Sequence, residues 1–106
     1  MLAAALAGCG GGDEPPIAGP EGARLASLAE ETKALIELEV GRCKAGRPAV
    51  RLRDDAVTAV NAGRIPAEHQ ERLLGEANAL AEETADCGAT NETAERAGDL
   101  ADWLRG

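Results

Sequence analysis

Apolar residues recur at the spacing of an α-helix, in blocks that proline and glycine separate. The first block opens at Pro20 and stops at Gly46 and Pro48. Its expected core face consists of Leu25, Leu28, Ala29, Thr32, Leu35, Ile36, Val40 and Cys43. Mostly acidic residues occupy the other faces, so the block predicts an amphipathic helix that carries Cys43 at its C-terminus, on the core side.

The second block predicts a shorter helix that opens at Pro48 and stops at the Asn-Ala-Gly segment over residues 61–63. Valines share one face of this helix, and we expect that face to be buried. The expected core residues are Val50, Val57 and Val60, with Leu52 and Ala56 at the edges of the face.

The third block begins at Pro66 with an acid in its first turn, and Gly88 follows its last residue. Its expected core face is Leu73, Leu74, Ala77, Leu80, Ala81, Thr84 and Cys87. Thr90 then caps a final helix whose apolar stripe is Ala94, Ala97, Leu100, Ala101 and Leu104, with Trp103 beside it. We therefore expect an all-α domain over residues 20–106, a three-helix bundle with a short fourth helix.

Two cysteines fall at the expected ends of helices one and three. In a bundle of alternating helices these ends lie together, so Cys43 and Cys87 should form a disulfide outside the cytoplasm. The chain has one Trp and no Phe or Tyr, and such a small-residue core gains much from the bridge, about 4 kcal/mol in the chain-entropy model. The alternative is a pair of reduced, buried cysteines. A metal site with His69 is disfavoured because the chain has no C-x-x-C pair.

The N-terminal segment contains Leu6-Ala7-Gly8-Cys9, followed by three glycines and Pro15-Pro16. It resembles the lipobox of bacterial lipoproteins. The resemblance implies cleavage before Cys9, lipidation of Cys9 by diacylglyceryl and palmitate, residues 1–8 as the rest of a signal peptide, and residues 9–19 as a flexible linker. Because a signal peptide is usually longer and starts with basic residues, we expect the true start codon to lie upstream. The alternative is an Ala/Gly-rich cytosolic segment that matches by chance.

The body of the chain also resembles small uncharacterised lipoproteins of high-GC Gram-positive bacteria. The resembling parts are the segment over residues 52–66, the leucine-rich helix after it and Cys87. The resemblance implies lipid anchoring to the outer face of the cytoplasmic membrane and two further cysteines, and it implies no particular activity.

The charge of the chain is uneven. A net charge of −8 excludes a nucleic-acid-binding surface of the ordinary basic kind. Six of the eleven basic residues nevertheless fall between positions 42 and 64, opposed there only by Asp54 and Asp55. They are Arg42, Lys44, Arg47, Arg51, Arg53 and Arg64. This window is a candidate contact patch for an anionic polymer, lipid headgroups or an acidic protein. The alternative for Arg42 and Lys44 is that their positive charges only stabilise the dipole at a helix C-terminus.

Catalytic patterns are weak. His69 is the only histidine and Ser27 the only serine, and neither stands in a G-x-S-x-G or triad pattern. We expect no enzyme activity, cofactor or metal. The predicted function is that of a non-catalytic envelope lipoprotein that acts through protein or cell-wall polymer contacts. The alternative is a carrier of a small apolar ligand between the helices. Trp103 would be a contact anchor if it were exposed.

Overall fold

Four α-helices account for most of residues 15–106, the residues that this computed structural model describes. They are α1 (Gly19–Glu37), α2 (Gly46–Asn61), α3 (Ala67–Glu83) and α4 (Asn91–Arg105). Two short 3₁₀ helices, Glu39–Lys44 and Ala85–Cys87, follow α1 and α3. No strand occurs over these residues, and the predicted all-α bundle is confirmed. The lipobox and Cys9 lie outside the described residues.

Packing begins before the expected domain start at residue 20. Ile17 is only 2 % exposed and belongs to the main core cluster, and α1 already begins at Gly19. Burying an isoleucine stabilises a fold by about 1.5–3 kcal/mol. The packed part of the chain therefore extends into the predicted linker over residues 9–19.

The C-terminal end of α2 and the N-terminal end of α4 match their sequence signals, whereas α2 begins at Gly46, two residues before the expected Pro48. Gly63 follows α2 with a φ of 76°, the left-handed conformation that glycine adopts most easily. Thr90 caps α4 reciprocally: its Oγ1 accepts from the amide of Thr93, and its own amide donates to Thr93 Oγ1 at 3.0 Å. These predicted boundaries are confirmed.

The expected end of the first helix was wrong. Leu38 is extended, so α1 ends at Glu37, and the chain turns back in a 3₁₀ helix. Gly41 permits this reversal because it has no side chain. A Cβ at this position would lie 2.9 Å from the carbonyl oxygen of Leu35, which is too close. The amide of Gly41 also donates to Leu38 O at 2.7 Å. Val40, expected in the core, is consequently 89 % exposed.

The expected core face of the second helix was wrong for Val50 and Val57, whereas Val60 is half-buried against the main core as expected. Val50 and Val57 are 38 % and 41 % exposed, whereas Leu52 is fully buried. Buried with Leu52 are the small residues Pro48, Ala49, Ala56 and Ala59. Short side chains let two helix axes approach closely, so this face packs inward and the bulkier valines remain outside.

The fourth helix is a full member of the bundle. At 15 residues it nearly matches α2, and its most extensive contact is with α1. Ala97 and Ala101 of α4 and Ala26 and Ala29 of α1 are all buried, and their size permits close approach. The predicted stripe of α4, from Ala94 to Leu104, is confirmed.

Substitutions on the two faces of α2 test this orientation. Leu52→Ala should lower the free energy of unfolding by about 2–5 kcal/mol, because it leaves a cavity. Val57→Ala should change it by no more than about 0.5 kcal/mol, since the side chain is partly in water and alanine favours helix. Urea unfolding of the oxidised protein measures both. Equal losses for the two variants would contradict the observed orientation.

Candidate contact surface

Cys43 and Cys87 form a disulfide that joins the 3₁₀ helix after α1 to the one after α3. The predicted pairing is confirmed, and so is the topology that places the C-terminal ends of α1 and α3 together. The expected core position of the two cysteines was wrong, since both are exposed. The early end of α1 accounts for Cys43, which lies six residues beyond Glu37 on the returning segment.

The backbone before Gly88 accounts for the exposure of Cys87. Asp86 and Cys87 have φ values of 54° and 62°, in the left-handed region that residues with a Cβ rarely adopt. Gly88 itself has a φ of −85°. The left-handed conformation that a glycine often adopts after a helix is therefore found here in the two residues before it. Each left-handed residue costs about 1–3 kcal/mol, and such a turn persists only where surrounding contacts hold it.

Alkylation tests the exposed bridge. Iodoacetamide without reductant should leave Cys43 and Cys87 unmodified in the folded Cys9→Ala protein, as measured by intact mass. A mild reductant under native conditions should then allow both to be alkylated, because the bridge is accessible without unfolding. Modification before reduction would contradict the disulfide, and a requirement for denaturant would contradict its exposure.

Three of the six residues in the basic window are held by neighbours. Arg64 pairs with Glu21 at 2.7 Å, and Arg53 with Asp54 at 3.1 Å. Half-buried Arg42 donates to the carbonyl oxygen of Ala89 at 2.9 Å. Arg42 thus ties the α1–α2 connection to the segment before α4, so its role is not complementation of the α1 terminus, as the sequence suggested.

The other three, Lys44, Arg47 and Arg51, are exposed and form no ion pair with any side chain that the structure describes. Arg47 lies in the first turn of α2, where the helix dipole disfavours a cation. That turn contains no acidic residue. Neither pairing nor the dipole therefore explains Arg47, and Arg51 one turn later gains nothing from the dipole.

A surface groove of about 640 Å³ separates α1 from α2 next to these cations. Its apolar lining includes Leu28, Pro48 and Val50, while Arg47 and Arg51 lie on the α2 side. Glu31 lies on the α1 side and has no ion-pair partner in the described part of the chain. We call this feature the basic groove; it combines an apolar floor with two guanidinium groups, which suits an amphipathic or anionic partner.

His69 and Trp103 have a packing role. Trp103 is half-buried against the main core, and the ring of His69 meets it edge-on with centroids 5.6 Å apart. The guanidinium of Arg72 lies 4.3 Å from the centre of the same ring. These contacts link α3 to α4, and Trp103 is not the exposed anchor that the sequence left open.

An ion pair between α1 and α4 shows how other charges are used. Arg105 donates to both carboxylate oxygens of Glu30, at 2.6 and 2.9 Å. These hydrogen bonds hold the pKa of Glu30 below its ordinary value of 4.5, against the smaller opposing effect of burial, and raise the pKa of Arg105. This ion pair connects α1 to α4, and neither of its residues lines the basic groove.

The lowered pKa of Glu30 predicts a pH-dependent stability. A carboxylate with a depressed folded-state pKa contributes stability above its ordinary pKa of 4.5 and loses it as the pH falls through the depressed value. Glu30→Gln should therefore lower the thermal midpoint slightly near neutral pH, and the difference from wild type should disappear once the pH lies below the depressed pKa of Glu30. Glu31→Gln, which breaks no ion pair, is the control. A difference for Glu30→Gln that is constant with pH would contradict the prediction.

No group of three or more His, Cys, Asp or Glu side chains within residues 15–106 is arranged to hold a metal ion. Among the same residues, no helix has the length and apolar character needed to cross a bilayer. No protein-family model matches the chain, and no curated protein or solved structure matches it. Function must therefore be argued from this chain's own surface.

Proposed function

We propose that this protein is a non-catalytic contact protein of the bacterial envelope. A lipid on Cys9 tethers it to the outer face of the cytoplasmic membrane, and the basic groove binds a protein or an anionic wall polymer. The observation that carries the contact role is the pair Arg47 and Arg51. On a chain of net charge −8, both lack an ion pair with any described residue and both border an apolar floor.

The position of the groove suits this role. The described chain starts at Pro15, at the N-terminal end of α1, and α1 is about 28 Å long at 1.5 Å per residue. The basic groove begins midway along α1 and runs toward the disulfide end, because Arg47 and Arg51 lie in the first two turns of α2. A chain anchored through its N-terminal segment would present the groove on the half farther from the anchor.

Two independent features support an extracytoplasmic location. The lipobox resemblance of residues 6–9 implies export. The cytoplasm keeps thiols reduced, so an exposed disulfide such as that between Cys43 and Cys87 is stable only in a more oxidising compartment. The two features concern different parts of the chain and favour the same compartment.

The carrier alternative has less support. It requires an apolar cavity between the helices, but the leucines and alanines of the main cluster there are at most 2 % exposed. The basic groove lies instead on the surface and is bordered by charged side chains. A wholly apolar ligand would leave both guanidinium groups without a partner, whereas an anionic or amphipathic partner would not.

Photocrosslinking in native envelopes tests the proposal. Val50, in the groove, is replaced by p-benzoylphenylalanine in the full-length gene, and the matched control carries the same residue at exposed Asn78 of α3. We expect a discrete adduct from position 50 only, detected on gels and by mass spectrometry. Arg47→Glu with Arg51→Glu should reduce the yield about tenfold. Equal adducts from both positions, or none from position 50, would refute the contact role.

The tether is tested separately in the same strain. Cys9→Ala should move the protein from the membrane to the soluble fraction, or leave it unprocessed, because the lipid is its proposed anchor. Unchanged membrane retention of a processed protein would refute lipidation without affecting the contact role.

A further inference from the structure

The solvent face of α2 carries two valines, with exposed Asp54 between them along the helix. Val50 and Val57 are partly exposed and stand seven residues apart, about 10 Å along the helix. Arg47 and Arg51 lie beside Val50, one turn apart on the same side of the helix. The opposite face is already buried in the bundle through Leu52 and its alanine neighbours. Thus Val50 and the two arginines lie together on the side of α2 that is left partly open to solvent.

We propose that the basic groove binds an amphipathic α-helix of a partner protein, one whose apolar stripe is edged by glutamate or aspartate. The proposal rests on the proposed function and assigns a partner class to the same surface. The apolar stripe of the partner would lie on Leu28 and Val50, and its acidic edge would meet Arg47 and Arg51. This is the helix-in-groove mode of recognition, with anchors at i, i+3, i+4 and i+7.

The floor of the groove favours a helix over a wall polymer. A polyanion needs cations and gains little from burying Leu28 and Val50, whereas an amphipathic helix buries both. Arg47 and Arg51 are separated by one helical turn, which matches acidic side chains at i and i+4 on a helix that runs along α2.

The α1 side of the groove favours the same partner. Glu31 stands there without an ion pair to any described residue, and it would repel a polyanion or an anionic lipid surface. A helix can place a lysine or a polar residue on that edge and its acids on the other. The groove therefore has opposite charges on its two sides, and this fixes the orientation of a helical partner.

A designed peptide tests this class without knowledge of the natural partner. The probe is an amphipathic helical peptide of about 18 residues, with leucines at i, i+3, i+4 and i+7 and glutamates along one edge. The control peptide has lysine at each glutamate position. Titration into the ¹⁵N-labelled, oxidised full-length Cys9→Ala chain should shift the amide signals of Leu28, Glu31 and residues 47–51. The control peptide should bind at least about tenfold more weakly.

Variants connect the binding to the groove. Arg47→Glu with Arg51→Glu should weaken the probe about tenfold or more, and Val50→Asp should do the same. Lys33→Glu on the α1 surface, a charge reversal outside the groove, and Val40→Asp, an exposed valine beyond it, are the matched controls and should leave affinity unchanged. Equal binding of the two peptides, or signal shifts elsewhere on the bundle, would overturn the proposal.

Other occupants give distinct results. Concentration-dependent shifts of residues 47–51 without peptide would identify a second copy of this chain, and shifts caused by phosphatidylglycerol vesicles but not by the probe would identify a lipid surface. Either result overturns the helix proposal. A polymer adduct from position 50 in native envelopes would also overturn it and leave the contact role standing, whereas loss of every adduct would overturn the contact role itself.

Discussion

Close approach of alanine-rich helix faces is the constraint on which this fold depends. With a single Trp and neither Phe nor Tyr, the bundle cannot bury large rings and instead brings its helices together through small side chains. Ala26, Ala29, Ala49, Ala56 and Ala97 are all fully buried. Each contributes little apolar area, so most of the buried apolar surface comes from leucines packed among them, such as Leu25, Leu52 and Leu100. A bulkier side chain at such a position would separate the axes.

The same constraint creates the candidate contact surface. If α2 had packed through its valines, Val50 and Val57 would fill the interior, and the alanine face would be left in water. Packing through Ala49, Ala56 and Leu52 instead leaves the valines at the surface, with Arg47 and Arg51 beside them. The groove between α1 and α2 is thus a consequence of how the core is packed. Its apolar floor includes side chains that this packing leaves partly exposed.

Much of the fold could be predicted from sequence because helix signals are local. Neighbouring residues alone determine the helical period, the cap at Thr90 and the glycine stop at Gly63. The sequence therefore predicts the four helices. Pairing of Cys43 with Cys87 also followed, since it requires only alternating helix directions. The buried face of α2 could not be predicted in this way: an alanine stripe and a valine stripe both have helical spacing, and the choice depends on how closely the partner helices approach.

The missed features of the site were long-range or conformational. Gly41 was a visible signal for a break, because a glycine inside a helix costs about 1 kcal/mol relative to alanine. What the glycine permits, however, is a close approach to the carbonyl of Leu35. The left-handed pair Asp86 and Cys87 has no such signal, since neither residue type requires that conformation. Which arginines lack ion pairs likewise depends on partners distant in sequence, such as Glu21 for Arg64.

The disulfide end of the bundle connects these features. Its core is small, a cluster of Ile36, Ala45, Ala89 and Ala94 with Leu35 packed against it. Such a cluster buries too little area to hold the α1–α2 connection alone. Two long-range ties reinforce it, the Cys43–Cys87 bridge and the hydrogen bond from Arg42 to Ala89. Both act on the segment that leads directly into Arg47. The cystine therefore bears on the candidate contact surface although it lies outside the groove, because it restrains the segment that leads into α2 and its cations.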